Sequence, residues 1–384
     1  MPGLSTNLIH GADHLHRVPD VVPPINIAST FRYESDPDKL IKVADREKFE
    51  ILGTPYYSRL SHPNSEQVEA SLEAVTGHHV VAYSSGLSAF YAALTHFNPK
   101  VIAFGKGYHG CHGIVQIWER NYGLKHIDLD DDFSQLNKGD IVHLETPVNP
   151  EGINFNIKYY ADKAHERGAY LIVDSTFAPP PLQDPFKFGA DMVMHSATKF
   201  FGGHSDLLAG LLITKSPEIR DKLVYDRLLL GTNIASLESS LLIRSIRTLE
   251  LRVLRQSESA TKLVKYLSDN KSKFPSLAKI YHGSLQDDEY IKEQMPLGHS
   301  PVFSIELDTE DAAKRLPSKL KYFHHATSLG GVESLIEWRA MSDKEVSPTL
   351  LRVSVGVENV EDLIEDFTQA LGGSVDISKL SLKY

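Results

Sequence analysis

The sequence predicts an α/β protein with a mainly parallel sheet covered by helices on both faces, followed by a smaller α+β domain. Between residues 79 and 173, short apolar runs typical of buried strands alternate with segments of helical periodicity. After Gly231 this alternation gives way to a long amphipathic segment and more widely spaced strands. The 384 residues are enough for two or three domains. We therefore predict an N-terminal arm over 1–52, a large domain over 53–235 and a small domain over 236–384.

The first predicted helix follows the arm. Paired prolines in segment 21–25 favour extended backbone and remove hydrogen-bond donors, so no regular element is expected there. Asn64, with Gln67 three residues later, resembles a capping box and predicts a helix start. Gly77 can end this helix.

The remaining elements of the large domain are short apolar strands with helices between them. The predicted strands are 79–83, 101–104, 141–144 and 169–173, and the predicted helices are 87–97 and 158–168. In the small domain the pattern predicts a long amphipathic segment over 236–254, strands over 302–307, 322–326 and 351–357, and a helix over 360–371.

Charge and composition exclude several classes of function. The chain has 40 Lys and Arg against 50 Asp and Glu, and the formal net charge of −10 disfavours nucleic acids and anionic membranes as partners. The single cysteine, Cys111, cannot form an intramolecular disulfide and is either an inert buried residue or a reactive thiol. No signal-peptide pattern and no apolar run of ~20 residues is present, so a cytoplasmic protein is expected. The 18 histidines show no metal-ligand pattern, so no metal site is predicted.

The segment 191–206 carries the clearest chemical signal. Lys199 follows an apolar run that predicts a strand, and Ser196 and Thr198 precede it closely. A lysine there can be desolvated, which lowers its pKa and favours Schiff-base chemistry, whereas an ordinary lysine is a solvated surface charge. The two hydroxyls can bind a phosphate beside the amine. Pyridoxal 5′-phosphate (PLP) requires this arrangement, because it carries an aldehyde and a phosphate on one ring.

Three further segments can complete a PLP site. Asp174 ends a predicted strand, where its carboxylate can keep the pyridine nitrogen protonated; without the lysine motif it would be interpreted as a turn or capping residue. The turn Ser85-Gly86-Leu87 lies between a predicted strand and a helix, so its N–H groups can hold a phosphate, although such turns are commonplace. Tyr108 can stack on the pyridine ring or simply pack in its loop.

A series of motifs runs in a fixed order along nearly the whole chain, from the arm to residue 358. The motifs are 57–59 (Tyr-Ser-Arg), 85–87, Tyr108, 145–150 (Glu-Thr-Pro-Val-Asn-Pro), 173–177, 195–199, 328–335 and 351–358. In this order they resemble the trans-sulfuration enzymes, the PLP enzymes of cysteine and methionine metabolism such as cystathionine γ-synthase, γ-lyase and β-lyase. The resemblance implies the PLP-dependent transferase fold of type I.

The resemblance also implies a role for each matched residue at the cofactor. Lys199 would bind PLP covalently, Asp174 would pair with the pyridine nitrogen, and Tyr108 would stack on the ring. The implied phosphate ligands are Ser85, Gly86, Leu87, Ser196 and Thr198. Lys199 and Tyr108 are the implied catalytic proton carriers. In the family, residues matching Tyr57 and Arg59 reach the phosphate from a neighbouring subunit, so a homotetramer with shared active sites is expected.

The implied substrate contacts lie in later motifs. Arg352 matches the arginine that binds the substrate α-carboxylate, a task that suits a planar, bidentate guanidinium. Asn149 and Ser328 match flanking contacts. A small-molecule amino acid is therefore the expected substrate.

Four departures from the family motifs concern local contacts and specificity. Residues 62–64 are His-Pro-Asn instead of Asn-Pro-Thr, and residues 108–111 are Tyr-His-Gly-Cys instead of Tyr-Gly-Gly-Thr. Thr327 stands where γ-lyases and γ-synthases commonly have Glu and the bacterial β-lyase has Tyr. Residues 338–339 are Trp-Arg instead of His-Pro.

Within this family, our leading hypothesis is γ-replacement or γ-elimination on cystathionine or an O-acylated homoserine. The alternative is β-elimination of cystathionine, because Thr327 favours neither reaction. A non-catalytic binding or assembly subunit of the same fold is less favoured, since Lys199, Asp174 and Tyr108 are retained. A dinucleotide-binding oxidoreductase is less favoured still, because no Gly-x-Gly-x-x-Gly turn follows the first strand.

Overall fold

A computed structural model describes residues 2–45 and 56–372, which form two sheets with helices packed against them. The helices are α1 Leu4–His10, α2 Pro63–Thr76, α3 Gly86–Phe97, α4 His109–Tyr122, α5 Ile157–His165, α6 Pro217–Leu230, α7 Ser236–Ile246, α8 Leu249–Asp269, α9 Glu289–Gln294, α10 Glu310–Arg315 and α11 Val360–Ala370. The strands are β1 His79–Tyr83, β2 Val101–Phe104, β3 Lys125–Ile127, β4 Ile141–Glu145, β5 Tyr170–Asp174, β6 Met192–Ser196, β7 Gly210–Thr214, β8 Leu277–Tyr281, β9 Val302–Leu307, β10 His324–His325, β11 Leu335–Trp338 and β12 Leu350–Ser354. Within these ranges no helix is long and apolar enough to cross a membrane.

The large sheet of the described chain has the strand order β1-β7-β6-β5-β4-β2-β3. The strands from β2 to β6 run parallel, and β7 is antiparallel to both of its neighbours. β4 and β7 are buried along their whole length because helices cover both faces of the sheet, which explains their nearly continuous apolar sequences. The predicted α/β fold with a mainly parallel sheet is confirmed.

The carboxyl ends of three neighbouring parallel strands meet at one edge of this sheet. β4 ends at Glu145, β5 at Asp174 and β6 at Ser196. Glu145 lies opposite Asp174 in the register of β4 and β5, so two carboxyl groups are neighbours at this edge. Gly210 of β7 pairs both with Ser196 and with Tyr83, the last residue of β1. This pairing brings the start of α3, which follows β1, beside Ser196.

The small sheet has the order β10-β11-β12-β9-β8, and β11 and β12 are antiparallel. Residues such as Leu263, Phe303 and Phe367 form the apolar core between this sheet and its helices. Glu337 of β11 lies directly opposite Arg352 of β12. This pair occupies the side of the sheet that meets the large domain.

The first predicted helix is present, but its start differs from the prediction. The N-cap of α2 is His62, whose ring accepts a hydrogen bond from the Ser65 N–H. Pro63 has no N–H and suits the first helical position, which leaves Asn64 inside the first turn. There the Asn64 side chain holds the arm by accepting a hydrogen bond from the Asn26 N–H at 2.8 Å. The capping box predicted at Asn64 is therefore wrong.

The amphipathic segment predicted over 236–254 is two helices, α7 and the start of α8. At the break, the Ser245 carbonyl accepts hydrogen bonds from the Thr248 hydroxyl and the Arg252 guanidinium. α7 and the start of α8 pack in the core of the large domain, whereas the end of α8 packs in the small domain. The two apolar cores meet within α8, and a boundary after residue 235 stays a prediction.

Smaller differences concern the ends of predicted elements. The helix predicted over 158–168 ends at His165, and the strand predicted over 351–357 ends at Ser354. The strand predicted over 322–326 is reduced to His324–His325, because the Tyr322 N–H donates to the Asp366 carboxylate instead of to a neighbouring strand.

Candidate active site

Lys199 lies in the turn after β6, between the two domains. Its Nζ donates a hydrogen bond to Ser328 Oγ at 2.9 Å, across 129 residues of sequence. Burial and, to a smaller extent, the nearby Arg352 cation lower the pKa of Lys199 to about 8. A substantial fraction of this amine is therefore neutral at physiological pH and able to act as a nucleophile or base.

Asp174 is buried at the end of β5. Its Oδ1 accepts hydrogen bonds from the Thr176 N–H at 2.9 Å and from the Thr176 hydroxyl at 2.6 Å. Asp174 thus caps this turn, and its pairing with a pyridine nitrogen stays a prediction. Burial raises the pKa of Asp174, the hydrogen bonds from Thr176 offset this in part, and no cation among the described residues contributes. A cationic ring nitrogen would complete this environment.

The N-terminus of α3 lies beside Ser196. Ser85 is the N-cap of α3, and its hydroxyl accepts a hydrogen bond from the Ser88 N–H at 3.0 Å. The N–H groups of Gly86 and Leu87 have no acceptor within the helix, so they can bind an anion. A Cβ on Gly86 would come within 3.0 Å of Ser196 Cβ, so only glycine lets the helix approach β6 this closely. The arrangement suits a phosphate group.

Thr198, the other hydroxyl of the lysine motif, is already engaged. Its Oγ1 accepts a hydrogen bond from the Ala209 N–H at 3.1 Å and donates to the Ala209 carbonyl at 3.3 Å. The side chain therefore ties the turn before Lys199 to the segment that leads into β7. To contact a phosphate, the Thr198 hydroxyl would donate its proton to the phosphate instead of to the Ala209 carbonyl, and this contact stays a prediction.

Glu145 joins the Tyr108 loop to the Asn149 loop, a role that the sequence analysis did not assign. Its Oε2 accepts a hydrogen bond from the Tyr108 N–H and its Oε1 accepts one from the Asn149 N–H, both at 2.7 Å. A Cβ on Gly107 would lie 2.6 Å from Glu145 Oε2, which explains the glycine before Tyr108. Burial and the neighbouring Asp174 raise the pKa of Glu145. One feature of the sequence could have indicated this role: Glu145 begins the motif 145–150 and directly follows a predicted strand.

Tyr108 is the N-cap residue of α4, and its side chain is 39% exposed. A Cβ on Gly110 would lie 2.5 Å from Tyr108 Cε1, so the ring lies over the first turn of α4. Burial raises the pKa of Tyr108, and the thiol of Cys111 adds to the effect. The phenol is therefore protonated at neutral pH and suited to donating a proton. Cys111 itself is fully buried with a raised pKa, which is typical of an inert thiol.

Arg352 is brought to the site by β12 and is held on several sides. Its Nη1 donates to Asn149 Oδ1 at 2.9 Å, and its Nη2 donates to the Ser328 carbonyl at 3.0 Å and to Glu337 Oε2 at 2.6 Å. Ser328 has a φ of 80°, a left-handed conformation that is costly for a non-glycine residue. This conformation lets Ser328 contact Lys199 with its hydroxyl and Arg352 with its carbonyl.

Within one chain, Tyr57 and Arg59 make no contact with Lys199, Asp174 or Arg352 among the described interactions. Both side chains are exposed, and Arg59 Nη1 donates to the Leu228 carbonyl on α6 at 3.0 Å. The Arg59 guanidinium lies 5.4 Å from the centroid of the Tyr57 ring. The structure thus brings together the other site residues predicted from the sequence but leaves this pair on the surface.

Comparison with known proteins identifies the family. Residues 5–372 match the family described as Cys/Met metabolism PLP-dependent enzyme. The chain belongs to this family. A cystathionine β-lyase of Lactococcus lactis subsp. cremoris is 33% identical, covering 97% of this chain and 99% of the relative. A cystathionine γ-lyase of Saccharomyces cerevisiae is 32% identical, covering 96% of both chains. A crystal structure of cystathionine γ-synthase from Xanthomonas oryzae pv. oryzae has a TM-score of 0.84 and 26% identity, covering 97% and 98% of the two chains.

Family membership confirms that the chain is a PLP-dependent enzyme of cysteine and methionine metabolism, as the motifs predict. The alternatives of a dinucleotide-binding oxidoreductase and of a non-catalytic subunit are thereby overturned. The side chains around Lys199 fit the cofactor: a half-buried amine, a buried carboxylate without a cation, and a helix start with free N–H groups. Within the described ranges, no group of three or more His, Cys, Asp or Glu residues is placed to hold a metal ion.

Proposed function

We propose that the enzyme catalyses γ-replacement or γ-elimination on cystathionine or an O-acylated homoserine, with PLP bound at Lys199. The observation that carries this proposal is the connection through Ser328, whose hydroxyl contacts Lys199 Nζ and whose carbonyl contacts Arg352. An α-amino acid whose carboxylate is bound by Arg352 has its Cα one bond from that carboxylate. Lys199 would then be within reach of the proton on Cα.

The cofactor would be held by residues of the large domain. The N–H groups of Gly86 and Leu87 and the Ser196 hydroxyl would bind the phosphate, and Asp174 would face the pyridine nitrogen. Tyr108 would cover one face of the ring. Ser85 would act through its capping of α3, and Thr198 through the turn that it ties to β7.

Bound PLP supplies a conjugated ring that stores the electron pair released from Cα. Lys199, in its neutral form, would remove the Cα proton, and the Ser328 hydroxyl would orient its amine. Reaction at Cγ requires that a second proton leaves Cβ. Lys199 could carry this second proton once it has passed the first to the bound cofactor, because one amine accepts one proton at a time. The protonated Tyr108 phenol can donate to the leaving group.

β-Elimination of cystathionine is the second candidate. It is favoured by the likeness to the L. lactis cystathionine β-lyase, which extends over 97% of this chain. Thr327 is exposed and short, and it provides neither a carboxylate nor an aromatic ring beside Ser328. Both reactions begin with removal of the Cα proton, and reaction at Cγ adds the removal of a Cβ proton, so the same set of site residues can support both.

Product analysis tests the proposal. Purified PLP-loaded enzyme is incubated with cystathionine, homocysteine, cysteine, and acylated homoserines with and without cysteine, and the keto acids and thiols are identified. 2-Oxobutyrate from cystathionine, or cystathionine from an acylated homoserine and cysteine, supports the proposal. Pyruvate and homocysteine from cystathionine would instead establish the β-lyase. Lys199→Ala, which removes the amine, is expected to form none of these products.

We further propose a cytoplasmic homotetramer in which Tyr57 and Arg59 reach the phosphate of a neighbouring subunit. The exposed position of this pair and of the apolar arm residues Val21 and Ile27, 87% and 86% exposed, supports an interface between copies. Mixing inactive Arg59→Ala and Lys199→Ala subunits after dissociation is expected to restore activity, because a mixed pair regenerates one intact site. Failure to restore activity in a mixture that forms mixed oligomers would contradict shared sites.

A further inference from the structure

The substrate-carboxylate end of the site contains a second buried arginine. Arg339 is 2% exposed and lies at one of the departures from the family motifs, where this chain has Trp-Arg in place of His-Pro. A buried guanidinium is expensive to desolvate and is rarely present without a counter-charge or a function. No role has been assigned to Arg339 in the sections above.

Arg339 and Arg352 share one carboxylate oxygen. Glu337 Oε2 accepts a hydrogen bond from Arg352 Nη2 at 2.6 Å and another from Arg339 Nη1 at 2.9 Å. Glu337 Oε1 accepts a third from the Ser342 hydroxyl at 2.7 Å. All three ionic side chains are at most 5% exposed, so water screens their interactions weakly.

The remaining contacts of Arg339 are weak. Its Nη2 lies 3.5 Å from Asp343 Oδ2, and the Asp343 side chain is 16% exposed, so water screens this longer ion pair more than it screens the pair with Glu337. Its Nε is buried without a hydrogen-bond partner among the described residues. Glu337 is thus the main counter-charge of two arginines.

Because Arg339 and Arg352 share Glu337, their charges are not both balanced where the substrate carboxylate would bind. With Arg352 and Glu337 alone, the buried pair would be neutral and Glu337 would compete with an incoming carboxylate for the guanidinium. Addition of Arg339 gives the three most buried side chains one net positive charge, which Asp343 at the edge of the cluster offsets in part, and divides the hydrogen bonding of Glu337 Oε2 between two donors. A substrate carboxylate would complete the charge balance.

We propose that Arg339 is a positioning residue that keeps Arg352 available for the α-carboxylate of the substrate, by sharing Glu337 and supplying the excess positive charge. The inference rests on the proposed assignment of Arg352 to the substrate carboxylate. Arg339 does not itself contact the substrate; it acts through Glu337 on Arg352. Selectivity for amino acids that carry a free carboxylate is its expected contribution.

Equilibrium titration of the PLP-loaded enzyme tests this inference without any turnover. L-Alanine and L-alaninamide are titrated into wild type, Arg339→Met, Arg339→Lys and the double variant Arg339→Met with Glu337→Gln, and binding is followed by cofactor absorbance. Arg339→Met is expected to weaken L-alanine binding about tenfold and to change L-alaninamide binding less than about twofold. Arg339→Lys, which keeps the charge, is expected to stay close to wild type. The double variant is expected to recover L-alanine binding because its net charge returns to the wild-type value.

The matched control is Arg315→Met on α10, which removes an exposed arginine paired with Asp311 and is expected to bind both ligands like wild type. Equal loss of L-alanine and L-alaninamide binding in Arg339→Met, or a double variant no better than the single one, would overturn the inference and leave Arg339 a packing residue. A selective loss of L-alanine binding in Arg339→Lys as large as in Arg339→Met would do the same. A wild type that binds the acid and the amide equally well would instead refute the assignment of Arg352 in the proposed function.

Discussion

The two ends of the site that we propose to bind anions are built from different kinds of groups. At the end formed by the large domain, the phosphate donors that we propose within one chain are the N–H groups of Gly86 and Leu87 and the Ser196 hydroxyl, which are neutral. Arg59 of a neighbouring subunit would add a charged donor from outside this chain. At the end formed by the small domain, Arg352, Glu337 and Arg339 are formally charged and buried together. Fixed dipoles suit a cofactor phosphate that stays bound, because they need no counter-charge when it is absent. A charged cluster with one unbalanced cation suits a substrate carboxylate that must arrive and leave.

The largest expected effect is at the charged end. Arg352→Met leaves Glu337 with less positive charge around it and removes the contact to Asn149, so kcat/KM is expected to fall about 100- to 1000-fold. The PLP content of the purified variant should match that of wild type, because the phosphate end is unchanged. Steady-state kinetics and the cofactor content per subunit measure both. Loss of PLP together with activity would show that the two ends are not independent.

Glu145 links the Tyr108 loop, which we propose to cover the cofactor ring, to the Asn149 loop, which contacts Arg352 at the charged end. Its replacement should therefore affect both loops. In Glu145→Gln, the amide can accept from only one of the two backbone N–H groups, and we expect kcat/KM to fall about 10- to 100-fold. Glu166→Gln, at an exposed position after α5, is the matched control and should be unaffected. A wild-type rate in Glu145→Gln would indicate that backbone geometry alone fixes the two loops.

The neutral end can be tested by adding a single methyl group. Gly86→Ala places a Cβ within 3.0 Å of Ser196 Cβ, which would push the start of α3 away from β6 and weaken PLP binding by roughly tenfold. Gly113→Ala in α4, where no atom lies within 4 Å of the new Cβ, is the control. Fluorescence titration of the apoenzyme with PLP measures both affinities. A KM change at saturating PLP, without a change in PLP affinity, would contradict the division between the two ends.

The lowered pKa of Lys199 has a consequence for cofactor uptake. Only the neutral amine reacts with an aldehyde, so the initial rate of PLP uptake by the apoenzyme should rise about tenfold between pH 7 and pH 9 and then level off. An unperturbed lysine would give about a 100-fold rise over the same range, without levelling. Stopped-flow absorbance over pH 6 to 10 distinguishes the two profiles.

The neutral end could be predicted from local sequence, whereas much of the charged end could not. Short apolar strands that stop at Asp174 and just before Lys199, and a glycine turn before a helix, are local patterns with known geometry. The cluster of Glu337 and Arg339 depends on the register between β11 and β12, which brings Glu337 opposite Arg352. The residue pattern within β11 or β12 alone does not predict that Glu337 lies opposite Arg352.

Two other differences have a similar cause. The start of α2 was misplaced because a histidine ring served as the N-cap, a task that sequence rules assign to Ser, Thr, Asp or Asn. The break between α7 and α8 has neither Pro nor Gly, and it is stabilised by Arg252, which also donates to the Phe200 carbonyl from the large domain. At the start of α2 the capping pattern was misleading, and at the break between α7 and α8 the sequence has no helix-breaking residue. Contacts with other parts of the fold stabilise both positions.

Mass spectrometry of the borohydride-treated, PLP-loaded enzyme tests the central claim most directly. Reduction fixes the cofactor to the lysine that holds it, and peptide mapping then locates the modified residue. We expect a single phosphopyridoxyl group on the peptide that contains Lys199, and none after the same treatment of Lys199→Ala. A modification on another lysine, or PLP retained by the protein with Lys199 unmodified, would contradict the assignment of this site.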